Sequence, residues 1–206
     1  NTPCTIPEID VDYIVKVQEV GNPKGIASGA TRFTTDPREL KIAQMTAEVM
    51  EHSGYFKAGF SFQTGTGGAS LAVTRFLREK MIAKDIKANF ALGGITGALV
   101  KLHEEGLIKK LLDVQDFDLE AVRSARDNPY HTVISGHHYA GPGSQGCAVD
   151  QLDMVVLSAL EIDTDFNINV LTCSDGVIRG AIGGHPDTAF GAKMTVVVAP
   201  LMRGRI

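Results

Sequence analysis

The sequence predicts an α/β protein with a mostly parallel, open sheet and flanking helices. Apolar runs typical of buried strands alternate with segments that repeat apolar residues at helical spacing. Several of these strands are followed by glycine-rich segments, and the alternation of strand, loop and helix favours parallel strands. A chain of 206 residues, 44% of them hydrophobic, can bury a sizeable core. We therefore expect residues 1–206 to form a single α/β domain.

The first predicted elements are a strand and a long helix. Residues 12–20 alternate in polarity and are rich in β-branched side chains, which predicts a strand. Asp36 can cap a helix, Pro37 suits its first position and Glu39 stands where a capping box needs an acid. The helix should then run to about His52, because a glycine follows shortly after it.

The rest of the chain repeats the pattern of strand, glycine and helix. Helices are predicted over residues 73–81, 95–102 and 118–125. The strands predicted in this part of the chain cover residues 57–64, 88–94, 111–117, 154–162, 166–172 and 194–200. Residues 130–150 are glycine-rich and lack helical periodicity, so a long loop is expected there, and loops of this length are usually functional.

Composition excludes several classes of function. The net charge is -4 and no basic cluster occurs, which argues against a nucleic-acid surface. No apolar run approaches the roughly 18 residues that a membrane span needs. The three cysteines, Cys4, Cys147 and Cys173, are odd in number and far apart. They favour a reducing compartment over a disulfide framework, so a cytoplasmic protein is expected.

Three glycine-rich segments, 65–68, 93–94 and 176–184, suggest the location of a site. Parallel strands place their carboxyl ends at one edge of the sheet, where ligands bind in open α/β folds. The turn GTGGAS at residues 65–70 lies between a strand and a helix, and could bind an anion at the helix N-terminus. A purely structural turn fits the same residues. A nicotinamide site does not, because Ser70 breaks the fingerprint and Asp85 ends the helix rather than the next strand.

Residues 171–193 carry the other candidate side chains. Ser174 and Asp175 could act as a nucleophile beside an acid, but no G-x-S-x-G elbow surrounds them. Cys173 is expected to be a buried thiol. We expect no bound metal, because no ligand-type spacing links the histidines His131, His137, His138 and His185.

Four stretches of the chain closely resemble the citrate lyase alpha subunit family: FQTGTGGASLAVTRFL, ALGGITGALVKLHEEGLIKKLLDVQDFD, DNPYHTVISGHHYAGPGSQGCAVDQLDMVVLSALEIDTDFN and SDGVIRGAIGGHPDTAFGAK. The resemblance runs through nearly the whole chain and corresponds to the second half of that longer subunit. It implies a fragment of a two-domain subunit whose related N-terminal half lies outside this sequence. It further implies a hetero-oligomer with an acyl carrier (gamma) subunit and a citryl lyase (beta) subunit.

The activity that the resemblance implies is a citrate CoA-transferase reaction, in which citrate replaces acetate on a carrier-bound thioester. No cofactor would be permanently bound, since the thioester belongs to a coenzyme A-like group of the carrier. More distantly, SDGVIRGAIGG is similar to the E-N-G-x-x-G stretch of coenzyme A transferases. Ser174 stands at the position of the nucleophilic Glu there, and Asp175 at that of the Asn. Citrate would therefore attack the thioester itself and form a mixed anhydride with acetate.

The resemblance also implies roles for single residues. Ser174 would hydrogen-bond citrate or the oxyanion, Asp175 would position a neighbouring group, and the N–H groups of Gly183 and Gly184 would stabilise the oxyanion. The residues expected to hold the thioester group are Gly65, Thr66, Gly67, Gly68, Gly93, Gly94, Gly176, His185 and Asp187.

Three other functions fit the same sequence. A free-standing acyl-CoA transferase or hydrolase would act without the carrier subunit, although the absence of the Glu argues against a double-displacement mechanism. A ligand-binding regulatory module of the same fold would be expected to carry a DNA-binding helix-turn-helix, and none is evident. A supporting half that only packs against the rest of the subunit is the third.

Overall fold

The computed structural model describes residues 6–22, 33–66 and 68–201. Eight strands occur in these ranges. In chain order they are β1 (Ser61–Thr64), β2 (Ala88–Ile95), β3 (Ile108–Asp116), β4 (His131–Val133), β5 (Met154–Ser158), β6 (Glu161–Ile162), β7 (Ile168–Asn169) and β8 (Met194–Val198).

Six of the strands form one sheet with the order β4-β3-β2-β1-β5-β8. Every neighbouring pair is parallel, so all six carboxyl ends lie at the same edge. Strands β6 and β7 pair antiparallel in a separate two-stranded sheet. This arrangement confirms the predicted α/β class with a mostly parallel sheet.

Helices cover the sheet, as the alternating pattern predicts. Asp36 caps the first of them by accepting a 2.8 Å hydrogen bond from the N–H of Arg38, and Pro37 occupies the first helical position. The helices are α1 (Pro37–His52), α2 (Gly68–Lys84), α3 (Gly97–Glu104), α4 (Leu119–Asp127), α5 (Gly136–Ala140) and α6 (His185–Gly191). Two 3-10 turns, Glu8–Asp10 and Ala148–Gln151, complete the regular structure.

The core lies on both faces of the sheet. Side chains alternate along each strand, so Val156 of β5 joins one apolar cluster and Val155 joins the other. The larger cluster contains residues from α1 to α4, whereas the smaller one contains Tyr139 of α5 and residues of the second 3-10 turn. Both faces of β5 are therefore buried, which explains why its sequence is continuously apolar.

The strand predicted over residues 12–20 is wrong. Residues 11–22 contain no helix or strand, and Ile14 is 90% exposed. Alternating β-branched residues indicate a segment that can join a sheet. A strand also needs a neighbouring strand with which to form hydrogen bonds. No strand of the described ranges pairs with this segment.

The long loop predicted over residues 130–150 is also wrong in part. It contains β4, α5 and the start of the second 3-10 turn. His137 and His138 therefore lie in a short helix and not in the loop that was expected. These elements are three to five residues long, too short to produce a periodic sequence signal, and α5 is stabilised by the packing of Tyr139 into the smaller cluster.

The predicted strands around the glycine-rich segment are shorter than expected. The strand predicted over 154–162 breaks after Ser158, and that predicted over 166–172 is reduced to the two residues of β7. Phe166 is 83% exposed, so this segment is not the buried strand that its apolar residues suggest. The other strand and helix predictions are confirmed, with ends displaced by a few residues.

Candidate functional site

The carboxyl edge of the sheet brings together glycine-rich turns that are distant in sequence. Gly65 follows β1, and a Cβ atom there would lie 2.4 Å from Oγ of Ser70 in α2. The hydroxyl of Ser158, at the end of β5, donates a 3.1 Å hydrogen bond to that of Ser70. His185 Nε2 lies 3.0 Å from the carbonyl oxygen of Ser158. Ser158 thus connects the turn after β1 with the N-terminus of α6.

Backbone donors at this edge differ in their availability. The N–H of Gly65 donates to the carbonyl oxygen of Val156 at 3.0 Å, so it is already used within the sheet. The N–H of Gly68 opens α2, where helix geometry supplies no intrahelical acceptor. Thr66 is half-buried in the same turn, and Gly67 lies outside the described residues.

A cavity of about 210 Å³ opens beside this turn. Gly68 and Ala69 at the start of α2 line it together with Ser158. Glu39 of α1 also borders it, and a Cβ atom on Gly68 would lie 3.5 Å from a carboxylate oxygen of Glu39. The start of α2 therefore faces an acidic side chain of the protein itself.

Gln63 and Tyr139 connect the two remaining glycine pairs. Gln63 of β1 is buried and its Nε2 donates to the hydroxyl oxygen of Tyr139 at 3.1 Å. A Cβ atom on Gly93 would lie 2.6 Å from the Gln63 side chain, and one on Gly184 would lie 2.5 Å from the Tyr139 hydroxyl. Gly93 and Gly184 are therefore required by close packing around this buried polar pair.

Sequence reasoning did not identify Gln63 or Tyr139 as site residues, because no motif or spacing distinguishes them. Burial raises the pKa of the Tyr139 hydroxyl, which stays protonated and can donate a hydrogen bond. Gly94 is packed against the Phe117 ring instead, and the side chain of Asp187 is exposed in the first turn of α6.

Ser174 and Asp175 lie on a separate segment, the arm, which we define as residues 160–182 with β6, β7 and a bridge between Thr172 and Ile178. Oε1 of Glu161 accepts hydrogen bonds from both the N–H of Ser174, at 2.9 Å, and its hydroxyl, at 2.7 Å. Asp175 accepts from the N–H of Val177 and pairs with Arg179. Gly176 forms the turn with φ of 74°.

The hydrogen bonds of Ser174 and Asp175 thus stay within the arm, whereas those of Gly65, Ser158 and His185 lie at the sheet edge. Accepting the two hydrogen bonds of Ser174 lowers the pKa of Glu161, most strongly through the backbone N–H. The carboxylate is therefore ionised at neutral pH. Cys173 is partly exposed beside Ser174, contrary to the expected buried thiol.

A third polar cluster lies between β3, β4 and α4. Ligand-type atoms of Asp113, Asp116 and His131 lie within 4.8 Å of one another, which is suitable for a metal ion. Nε2 of His131 lies 3.0 Å from Oδ2 of Asp113, and its Nδ1 lies 2.9 Å from Oγ of Ser124. Both ring nitrogens thus have protein partners, and the bond to Ser124 links α4 to the sheet.

Among the described helices, none combines the length and apolar character needed to cross a membrane. The parallel sheet with flanking helices and glycine-rich segments at its carboxyl edge defines an open-sheet α/β domain. A family model described as citrate lyase, alpha subunit (CitF), matches residues 1–206. The chain therefore belongs to the citrate lyase alpha subunit family.

Individual relatives agree with the family assignment. The chain is 61% identical over 206 residues to the citrate lyase alpha chain of Klebsiella pneumoniae and 62% identical over 206 residues to that of Escherichia coli (strain K12). All of this chain is covered in both comparisons, but only 41% and 40% of the two relatives. The chain thus spans about two fifths of the length of these relatives.

Solved structures support the fold independently. An alpha subunit of citrate lyase from Streptococcus mutans, described in complex with citrate, is 63% identical with a TM-score of 0.91 and matches 100% of this chain and 41% of its own. The alpha subunit of a malonate decarboxylase from Acinetobacter baumannii is only 16% identical, with a TM-score of 0.58 over 89% of this chain and 33% of its own. The second likeness supports the fold alone.

Proposed function

We propose that this chain contributes to a citrate CoA-transferase site, which exchanges acetate for citrate on the thioester of an acyl carrier subunit. The observation that carries the proposal is the 63% identical alpha subunit described in complex with citrate, because it covers this entire chain. The exchange would need the rest of the alpha subunit and an acetyl thioester on the carrier subunit, and the citryl lyase subunit would act on the citryl thioester that forms. The thioester belongs to the carrier, so no permanently bound cofactor is part of the proposal.

The exchange of acetate for citrate would take place in two successive acyl transfers. A citrate carboxylate attacks the acetyl carbonyl, the carrier thiolate leaves, and a mixed citric–acetic anhydride forms. The thiolate then attacks the citryl carbonyl, acetate leaves, and the citryl thioester forms. The chain's part is to orient citrate and to stabilise the oxyanion of each tetrahedral intermediate.

The geometry supports a role for this chain in orienting citrate and in stabilising the oxyanion. The N–H groups of Gly183 and Gly184 donate no backbone hydrogen bond among the described contacts, so they suit an oxyanion better than the N–H of Gly65 does. Ser174 carries two further donors on the arm, and Glu161 accepts from both of them in this structure. Asp175 already holds Arg179 and a backbone N–H, which agrees with a positioning role rather than that of a base.

The test is release of acetate from an acetyl thioester by the complete alpha subunit, with and without citrate. Wild type should release acetate only with citrate, and Ser174→Ala and Gly183→Ala should reduce the rate. Borohydride, which reduces an enzyme-bound thioester, should trap no adduct. A trapped adduct would indicate a carboxylate nucleophile in the protein, and release independent of citrate would contradict the proposed exchange.

A further inference from the structure

Glu161 and Ser174 form a complete carboxylate-binding contact within the protein. A single oxygen, Oε1 of Glu161, accepts both the N–H and the hydroxyl of Ser174, at 2.9 and 2.7 Å. Two donors converging on one ionised oxygen is a strong arrangement for anion binding. Glu161 lies opposite Asn169 in the β6–β7 pair, and its contact with Ser174, beyond the end of β7, spans 13 positions of the chain.

We propose that the donor pair of Ser174 is a binding place for a substrate carboxylate, and that Glu161 occupies this place until the substrate displaces it. The proposal rests on the proposed function and adds the residue that competes with citrate. Glu161 would then determine the affinity for citrate without taking part in acyl transfer. Ser174 would contact the substrate, and Glu161 would act through Ser174.

Electrostatic repulsion prevents Glu161 and a substrate carboxylate from binding to the donor pair of Ser174 at the same time. The hydrogen bonds from Ser174 lower the pKa of Glu161, so its carboxylate is negative at neutral pH. A second carboxylate cannot accept from the same two donors while this one remains, and the two negative charges would repel each other. Substrate binding therefore requires the Glu161 side chain to rotate away from Ser174.

The surroundings of Glu161 allow that rotation. Its strand, β6, is only two residues long, and its side chain is half-buried rather than enclosed. A cavity of about 650 Å³ borders Glu161 and Cys173, the residue before Ser174. The cavity extends to Val197 of β8, the last strand in the order of the described sheet, and to Pro200. The space beside Glu161 therefore gives its side chain room to move away from Ser174.

Arg179 adds a reason to expect a polycarboxylate. Its guanidinium pairs with Asp175, and its charge also lowers the pKa of Glu161, so all three lie in one electrostatic cluster. Arg179 and Asp175 are each about half exposed. The arm thus holds one cation between two carboxylates that belong to the protein. A substrate with several carboxylates could replace Glu161 at Ser174 and share Arg179 with Asp175.

The experiment compares Glu161→Ala with wild type in the complete alpha subunit, assembled with its carrier and lyase subunits. The KM for citrate should fall about five-fold in Glu161→Ala, because the internal competitor is gone and contacts between exposed charges are modest. The value of kcat should change by less than about two-fold, since Glu161 takes no part in the chemistry. In the Ser174→Ala background, which keeps the N–H donor and loses the hydroxyl, removal of Glu161 should lower the KM clearly less than in wild type.

Two further variants test whether competition by Glu161, and not the loss of any one carboxylate, changes the KM for citrate. Glu161→Gln keeps the shape and removes the charge, so its KM for citrate should fall as well, although less than in Glu161→Ala. Glu79→Gln removes an exposed carboxylate from α2 and should leave the KM unchanged. Calorimetric titration of the alpha subunit with citrate alone gives the same order of affinities without turnover.

The two proposals fail in different ways. If wild type shows no citrate-dependent exchange, the proposed function is wrong, whereas calorimetry with citrate still tests the competition. If wild type exchanges normally but Glu161→Ala and Glu161→Gln keep or raise the KM for citrate, Glu161 is a structural partner of Ser174 and the competition is refuted. An equal fall in KM in the Ser174→Ala background would also refute it.

Discussion

A Cβ atom on Gly184 would lie 2.5 Å from the hydroxyl oxygen of Tyr139, closer than any side chain can approach. This contact places the turn before α6 directly on α5. Tyr139 in turn is hydrogen-bonded to Gln63 in the central strand β1. Contact with the buried pair of Gln63 and Tyr139 therefore helps to fix the position of the Gly183–Gly184 donors.

Gly184→Ala should displace this turn. Because the nearest atoms belong to a buried ring, we expect the free energy of unfolding to fall by about 1–3 kcal/mol. Acetate release by the complete subunit should fall with it, since the donors move. Denaturant unfolding and the exchange assay measure the two effects.

Gly136→Ala is the matched control, because no atom lies within 4 Å of its Cβ position and its φ is not positive. It should change the free energy of unfolding by less than about 0.5 kcal/mol. A Gly184→Ala variant as stable and active as Gly136→Ala would show that the turn does not depend on contact with Tyr139.

Gly94→Ala tests the closest packing at the edge of the sheet. A Cβ atom there would lie 1.8 Å from Cε2 of Phe117, which follows β3. We expect a loss of about 3 kcal/mol or more in the free energy of unfolding, because the ring has to leave its position. Adding Phe117→Ala should recover part of that loss, and the denaturant midpoints of the single and double variants measure it. Strictly additive losses would contradict a direct clash.

The fold and the glycine-rich edge could be predicted because both leave a pattern among residues that are close together in the sequence. Strand and helix periodicity report which face of a segment is buried, and glycines mark positions such as Gly65 after β1 and Gly93 near the end of β2, where a side chain would not fit. The failed strand at 12–20 shows the limit of this information, because periodicity does not reveal whether a neighbouring strand exists. Ser174 was identified as a candidate, but its partner Glu161 was not.

Glu161 and Tyr139 could not be identified from the sequence for the same reason. Glu161 contacts Ser174 across 13 positions of the chain, and Tyr139 contacts Gln63 across 76 positions. Such contacts depend on tertiary packing, and neither residue type nor spacing in the sequence predicts them. A search for motifs could therefore locate the turns of the candidate site but not the polar side chains that hold them.

Asp153→Ala should cause one of the larger losses of stability. Asp153 precedes β5, and its Oδ2 accepts a 2.9 Å hydrogen bond from the N–H of Ser61, which is 1% exposed. Its Oδ1 accepts from Nζ of Lys193 at 2.7 Å. Removing the carboxylate leaves a buried N–H without a partner, so the free energy of unfolding should fall by about 2–3 kcal/mol.

Asp153→Asn separates the hydrogen bond from the charge. An amide oxygen can still accept from the N–H of Ser61, so the loss should be clearly smaller than in Asp153→Ala. Urea unfolding of both variants at neutral pH provides the comparison. Equal losses in the two variants would mean that the charge opposite Lys193, rather than the bond to Ser61, stabilises this end of β5.

Asp116 should make stability depend on pH. Burial raises its pKa to about 7, with a further contribution from Asp113, and its Oδ1 has no hydrogen-bond partner among the described residues. A raised carboxyl pKa means that the folded state holds the proton more tightly than the unfolded state. Stability is therefore lost as the pH rises from about 4 to about 7, and the loss is complete above pH 7.

Asp116→Asn stays neutral throughout this range and should not show the loss. At pH 8 the variant should be more stable than wild type by about 1 kcal/mol, because solvent partly screens this half-buried group, and at pH 4 the difference should disappear. Thermal or urea unfolding at both values measures it, with Asp12→Asn in the exposed segment as the control for removing one carboxylate. If wild type and Asp116→Asn lose stability equally between pH 4 and pH 8, the carboxyl of Asp116 is already ionised in the folded protein at pH 4. The excess negative charge beside Asp113 would then have to be neutralised by another group.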